Sequence, residues 1–357
     1  MRRLTVLQLL PALGSGGVEK STLEIAEALV RAGHRSVVVS AGGRLRESLE
    51  RSGSEHITLD IGRKSLSTLR HVLGLRRLIR RLQPDIVHAR SRLPAWLGWL
   101  AIRGMGADKP RFVTTVHGLN SPGWYSAIMT RGERVICVSG AVRAYVLANW
   151  PVAEPARLVV IERGIDTDQF SPAATPRPAN TGPKRLLMPG RGTRLKGHEA
   201  ALTLLADLRA NGCDASLWLL GTREPGREAY VAELEAIAQR LGVADAIEIS
   251  PPRQDVLSAY RQSDVVLQLS AKPEAFGRTV VEALAVGVPV VGWSHGGVAE
   301  LLARYFPEGQ VTPGDREGLL ATTLVVLAKS PVLTPIQPQS LAQMQAQTLK
   351  VYESLLA

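Results

Sequence analysis

Short apolar runs alternate along the chain with segments whose apolar residues recur every three or four positions. The first half reads "RLTVLQLL", "VEKSTLEIAEALVRAG", "RSVVVSAGG", a helical pattern around "STLRHVLGLRRLIRRLQ", then "DIVHA", "RFVTTVHG", "RVICVSG" and "RLVVIERG". Runs this short and this rich in Val, Ile and Leu predict strands buried on both faces, and their alternation with helices predicts a doubly wound parallel sheet. After "GIDTDQF", the stretch "SPAATPRPANTGP" has no apolar period and is expected to be a linker. The pattern then resumes, with strands expected at "RLLMPG", "ASLWLLG", "AIEIS", "DVVLQLS" and "VPVVGW" and helices such as "GREAYVAELEAIAQRLG" between them. The boundaries implied are an N-terminal Rossmann-like domain over 1–170, a linker over 171–183 and a second Rossmann-like domain over 184–338. A last helical segment, 339–357, lacks a strand partner and is expected to pack back on the first domain.

At 357 residues the chain has room for two cores, and no apolar run approaches the ~18 residues of a membrane span. The opening "MRRLTVLQLLPALGSGG" imitates a signal peptide, but Gln8 and Pro11 interrupt it and it leads into a glycine turn. A cytoplasmic protein is expected. Cys137 and Cys213 fall in apolar segments of different halves, which suggests two core thiols rather than a disulfide framework or a metal site.

Charge is unevenly spread. Residues 1–165 hold 25 Lys and Arg against 12 Asp and Glu, a balance of +13, so the remainder of this +11 chain carries −2. The first half is therefore expected to meet something anionic: nucleic acid, a membrane surface or a phosphorylated acceptor. Aromatic residues make up 4% and leave few stacking platforms, and no nucleic-acid module appears, so nucleic acid is set aside. Between 69 and 82, Val72, Leu75, Leu78, Ile79 and Leu82 share one helical face while Arg70, Arg76, Arg77, Arg80 and Arg81 hold much of the other. Arg63, Lys64, Arg90 and Arg92 add charge nearby in sequence. An ordinary sheet-packing helix would show the same apolar arc. The arginine face, without an acidic residue, suggests an anionic membrane surface as a further partner.

The candidate chemistry concentrates at loops that follow strands. In "KPEAFGRTVVEALAVGVPVVG", Glu274 falls in the loop after a strand and Glu282 about a turn inside the next helix, with Gly287 placed to cap its end. Backbone N–H groups of Gly277, Arg278 and Thr279 would face a phosphate at that helix's positive end. Two carboxylates flanking an anion site suit a sugar nucleotide, which has hydroxyls on both sides of a diphosphate. Bare spacing is equally that of two solvated glutamates. "MPGRGTRLKGHE" brings Arg191 and Lys196 to the corresponding loop of the first strand of that domain, a planar fork and a mobile point charge for a leaving diphosphate. "LGSGGVEKS" places Gly16 and Gly17 between the first strand and helix, where backbone can approach a phosphate or sugar, without the dinucleotide or nucleoside-triphosphate spacing. His117 ends a buried strand. Asp166 and Asp168 imitate a metal-binding pair, but Asp166 is expected to cap a turn, and no metal is assigned.

In this order, "GGVEKSTLEIAEAL", "VHG", "VICVSGAVR", "VIERGIDTDQF", "PGRGTRLKGH" and "PEAFGRTVVEALAVGVPVVGWSHGGVAEL" resemble the family-four retaining glycosyltransferases of the GT-B fold, over nearly the whole chain. The similarity is greatest to members that build lipopolysaccharide core or other surface glycans. It implies two Rossmann-like domains facing a cleft, a nucleotide-sugar donor with a UDP-sugar favoured, a glycan or glycolipid acceptor and no cofactor; the basic first half adds the expectation that the acceptor is phosphorylated and that the protein sits peripherally on the inner face of the cytoplasmic membrane. The resemblance further implies that Glu282 holds the ribose, Arg191 and Lys196 the diphosphate, and Glu274 with the N–H groups of Phe276 and Gly277 the donor sugar. Gly16 and Gly17 would approach phosphates or acceptor, and His117 the reacting carbon. Arg163, where the family has asparagine, and Arg278, where it has an aliphatic residue, depart from the pattern; neither departure touches an assigned role, and both are expected to add positive charge near the cleft. The competing expectation is a subunit that binds a nucleotide-sugar without turning it over.

Overall fold

The computed structural model describes residues 2–14, 16–106, 109–172, 182–331 and 333–357. Two compact units divide the chain: Met1–Gly164 together with Leu341–Ala357, and Ile165–Ser340. The stretch expected as a linker falls largely at 173–181, outside the described residues.

The first unit is built on seven strands, β1 (Thr5–Leu9), β2 (Arg35–Ser40), β3 (Glu55–Thr58), β4 (Ile86–Ala89), β5 (Arg111–Val116), β6 (Arg134–Cys137) and β7 (Leu158–Val160). They lie in the order β3-β2-β1-β4-β5-β6-β7, every neighbouring pair parallel. The second holds β8 (Lys184–Pro189), β9 (Ala215–Leu220), β10 (Ile247–Ser250), β11 (Val265–Gln268), β12 (Val290–Trp293) and β13 (Gln310–Val311), in the order β10-β9-β8-β11-β12-β13 and again parallel. Both are doubly wound sheets, as the alternating pattern predicts. Each reverses its order once, between β1 and β4 and between β8 and β11, and at such a reversal the loops leaving the two strands diverge and open a crevice.

Helices cover the sheets because their apolar stripes have nowhere else to go. Ile25 and Leu29 of the helix Gly17–Arg31 join Leu4, Val6 and Ile86 in one buried cluster of the first unit. Met344, Val351 and Tyr352 of the helix Leu341–Glu353 enter the same cluster from the far end of the chain. Polar contacts fix its angle: Arg31 Nη2 donates to Gln345 Oε1 at 2.6 Å, and Gln345 Nε2 to the Glu24 carbonyl at 2.7 Å. Of the two cysteines, Cys137 is buried in β6, whereas Cys213 is only part-buried, because it sits in the turn after the helix His198–Ala210 and not in a strand. No helix among the described residues is long and apolar enough to cross a membrane.

Candidate active site

In the second unit the loops after β8 and β11 meet at the reversal of the sheet. The helix Arg278–Val286 starts from Gly277, whose φ of 104° belongs to the left-handed region that glycine enters without strain, and ends at Gly287, as the sequence predicts. The loop after β8 presses equally close: a Cβ at Gly197 would lie 1.9 Å from the Leu269 carbonyl oxygen. Only glycine allows that approach. It carries the neighbouring Lys196 to within 2.6 Å of Glu274, Nζ donating to Oε1.

Glu274 is the centre of this cluster. Its Oε1 also accepts from Ser270 Oγ, and its backbone carbonyl accepts from Gly297 N at 2.8 Å. Burial pushes the Glu274 carboxyl up, but the Lys196 ammonium and the two hydrogen bonds outweigh that and hold it below the usual carboxylate range. The pair is thus ionised on both sides and only about a quarter exposed. His295 closes the cluster, its Nε2 3.0 Å from the Ser270 carbonyl. Arg191 stands exposed on the same loop as Lys196, and Phe276 is buried.

Glu282 sits deeper. Its Oε2 accepts from the buried Tyr260 hydroxyl at 3.0 Å, and its Oε1 is 3.5 Å from Arg278 Nε. Burial, then the adjacent carboxylate, raise the Tyr260 phenol well above its ordinary value, so it stays a donor. Arg278 lies beside Glu282 because positions four apart on a helix share a face. Thr279 Oγ1 accepts from Gln268 Nε2 at 3.2 Å, which ties the start of the helix to the end of β11.

In the first unit, His117 follows β5 directly. Its Nδ1 accepts from Arg163 Nη2 at 2.7 Å, and Arg163 also reaches the Gly17 carbonyl at 3.2 Å. Arg163 meets His117 because β5 and the segment after β7 end on the same edge of the sheet. Burial, then Arg163, Arg90 and His88, hold the His117 imidazole well below its usual value. It is neutral, with the proton on Nε2. Gly16 and Gly17 open the helix Gly17–Arg31; a Cβ at Gly17 would meet nothing within 4 Å, while one at Gly16 would strike the Glu19 carboxylate. Asp166 caps a turn, its Oδ1 accepting from the N–H groups of Asp168 and Gln169 at 3.1 Å each.

Sequence reasoning missed Ser270, His295 and Tyr260. Ser270 closes the run "DVVLQLS" and His295 precedes two glycines, a signal for a chain turned sharply toward a neighbour, whereas nothing local marks Tyr260. A cavity of about 580 Å³ lies at the amino ends of β8, β9 and β10, lined by Arg185, Ser216 and Glu248, away from these residues.

Residues 15–169 match the family profile described as Glycosyltransferase Family 4, and residues 173–328 the one described as Glycosyl transferases group 1. The chain belongs to the family-four glycosyltransferases. A glycosyltransferase of Rickettsia africae superposes with a TM-score of 0.87 at 29% identity, covering 100% of this chain and 99% of the other. HepE of Anabaena, solved with UDP and glucose, gives 0.80 at 20% identity over 99% and 100%, and WaaG, a lipopolysaccharide glycosyltransferase, 0.70 at 18% over 98% and 95%. The two more distant likenesses carry the fold alone, and with the sheet order they establish the GT-B class. D-inositol 3-phosphate glycosyltransferases are similar in sequence: that of Mycobacterium sp. strain KMS is 29% identical over 60% of this chain and 52% of its own length, and that of Xylanimonas cellulosilytica 31% over 60% and 56%. This family-four chain thus spans about half the length of the curated relatives it matches.

Proposed function

We propose that the chain transfers a sugar, with retention at the anomeric carbon, from a nucleotide-sugar to a hydroxyl of a lipopolysaccharide-core or other cell-surface glycan. The observation that carries this reading is the ionised Lys196–Glu274 pair, set where the second sheet reverses and the helix Arg278–Val286 begins. Such a crevice with a helix N-terminus suits a diphosphate. Glu282 is assigned to the ribose, Arg191 and Lys196 to the diphosphate, and Glu274 with the N–H groups of Phe276 and Gly277 to the donor sugar.

When the bond between the anomeric carbon and the phosphate oxygen breaks, its electron pair stays on the diphosphate, where Arg191, Lys196 and the helix dipole stabilise the growing charge. The acceptor oxygen bonds to the same face of the carbon and its proton passes to the departing phosphate. No metal or cofactor is assigned. UDP is the favoured nucleotide, the one held by HepE in its solved complex. A phosphorylated acceptor and a peripheral position on the inner face of the cytoplasmic membrane follow from the basic first half. Exposed Leu69 and Leu73 beside Arg70, Arg77, Arg80 and Arg81 support that membrane contact.

A melting-temperature screen against UDP-, GDP-, ADP- and dTDP-sugars tests the donor, since a ligand that binds only the folded state raises apparent stability. A UDP-sugar is expected to give the largest rise, with turnover that survives EDTA. A chain that binds the donor yet transfers sugar to no glycan is a binding subunit, and abolition by EDTA overturns the metal-free account.

A further inference from the structure

Arg90, expected from the sequence to add to a basic surface, is 3% exposed. It follows β4 directly and points under the loops. Its Nε donates to Gln8 Oε1 at 2.8 Å and its Nη1 to Ser21 Oγ at 3.4 Å, but its Nη2 is buried without a partner among the described residues. His117 Nε2, which carries the ring proton, is likewise buried and unpartnered among the described residues. An unmade hydrogen bond on a buried donor is costly, the more so on a charged one, so two together call for an acceptor.

Arg90 and His117 both line a cavity of about 280 Å³, near the lower end of ligand-site volumes. It lies at the carboxyl ends of β1, β4 and β5, where the first sheet reverses its order. The first turn of the helix Gly17–Arg31 lines it through Val18 and Glu19, and the start of the helix Arg92–Ile102 through Ser91 and Arg92. Among the described residues, neither helix has a side-chain cap on its first N–H groups. Arg92 is held in place by Ser126 Oγ at 3.2 Å and by the Tyr125 ring, 5.4 Å from its guanidinium carbon. Two guanidinium groups therefore face one carboxylate, Glu19. A separate hole of about 20 Å³ beside Arg90 and Thr115 has room for a single water, but His117 does not line it.

We propose that this cavity seats an oxyanion of the acceptor, a phosphoryl or carboxylate group gripped by Arg90 and Arg92, while Glu19 and His117 meet neighbouring hydroxyls. The assignment rests on the glycosyltransferase reading and adds to it the acceptor's recognition chemistry. Guanidinium suits this task, because its planar fork matches two oxygens of either group at once.

The test uses the full chain saturated with UDP, so that the donor's phosphates do not compete. Three probes are titrated by NMR: glucose 1-phosphate, methyl glucuronide and the neutral methyl glucoside. At least one anionic sugar is expected to bind about tenfold or more tighter than the neutral one, and the stronger of the two names the source of the oxyanion. Arg92→Gln is expected to erase that preference with UDP affinity intact. Arg90→Lys, which keeps the buried charge but loses the fork, is expected to reduce it similarly while the melting temperature stays near wild type. Equal binding of all three sugars, or a preference that survives both substitutions, overturns the assignment. Failure of UDP to bind at all overturns the transferase reading first, and this assignment with it.

Discussion

Glu274 and Glu282 are separated by seven residues but meet different chemistry. Glu274 faces a cation at about one quarter exposure, and Glu282 a phenol and a guanidinium in a nearly closed site. Contacts to ribose act equally in ground and transition states, whereas contacts to the sugar can strengthen as it flattens. Glu282→Ala is thus expected to weaken nucleotide binding, and Glu274→Gln to lower kcat with little change in nucleotide affinity. Titration calorimetry with steady-state kinetics separates them, and unchanged affinity for Glu282→Ala removes the ribose assignment. Gly17→Ala probes the other unit. A methyl group there enters open space, so folding is unharmed, and an unchanged melting temperature with about tenfold lower kcat/KM is the expected result if substrate backs against that glycine. Full activity would show that nothing approaches it. His198 gives a pH signature of its own. Buried between the Tyr230 and Thr222 hydroxyls, its imidazole is pulled down to about 4, first by burial and then by Lys196. The unfolded chain takes up that proton near pH 6.5 and the folded one only near 4, so its stabilising contribution is complete above pH 6.5 and is lost as pH falls toward 4. Wild type is expected to lose about 3 kcal/mol more than His198→Gln over that window, measured by urea unfolding at both ends.

The helix His71–Leu82 shows how one element divides its charges. Leu75, Leu78 and Ile79 are buried, as the helical spacing predicts. Of the arginines on the other face, Arg76 is not available to a partner: its guanidinium donates to the carbonyls of Leu100, Ala101 and Arg103 at 2.9–3.1 Å and closes the C-terminal end of the neighbouring helix Arg92–Ile102. The last carbonyls of a helix lack intrahelical donors, and a cation there is also attracted by the negative end of the dipole. Arg77, Arg80 and Arg81 remain exposed. Arg76→Ala is therefore expected to lower stability by about 2 kcal/mol. Neutralising Arg77, Arg80 and Arg81 together should leave the melting temperature unchanged and reduce sedimentation with anionic liposomes, the more so at low salt. If that triple variant binds anionic and neutral liposomes as wild type does, the membrane contact is excluded.

The first unit is assembled from both ends of the chain. Met344, Val351 and Tyr352 complete its core, and the Tyr352 hydroxyl meets His88 Nδ1 at 2.7 Å while His88 Nε2 meets Thr115 Oγ1 at 2.7 Å. That buried relay runs under β4 and β5, next to Arg90 and His117. Removing a large buried side chain costs about 2–5 kcal/mol, so losing three exceeds much of the ~5–15 kcal/mol that holds a domain together. Truncation before Leu341 is expected to unfold the first unit alone: amides of β1, β4 and β5 should exchange hydrogen rapidly while those of β8 and β9 stay protected. Protection of β1 in the truncated chain would mean that the terminal helix is dispensable.

Much of this was legible before any coordinates. Runs such as "RSVVVS" and "DVVLQLS" can be satisfied only in sheets covered on both sides, and Gly287 could only end its helix. The rest depended on contacts between segments far apart in sequence, which no local period records. Lys196 and Glu274 are 78 residues apart and meet because β8 and β11 are neighbours at a sheet reversal. Arg163 reaches His117 across 46 residues because β5 and β7 end on one edge. Arg90 reads as one more surface arginine, and only the closing of loops over β4 made it a buried donor in search of an acceptor. Periodicity determines which face of an element is covered, because burial of apolar area is local and nearly additive. Which polar groups are left facing one another depends on strand order, and that is decided by the packed whole.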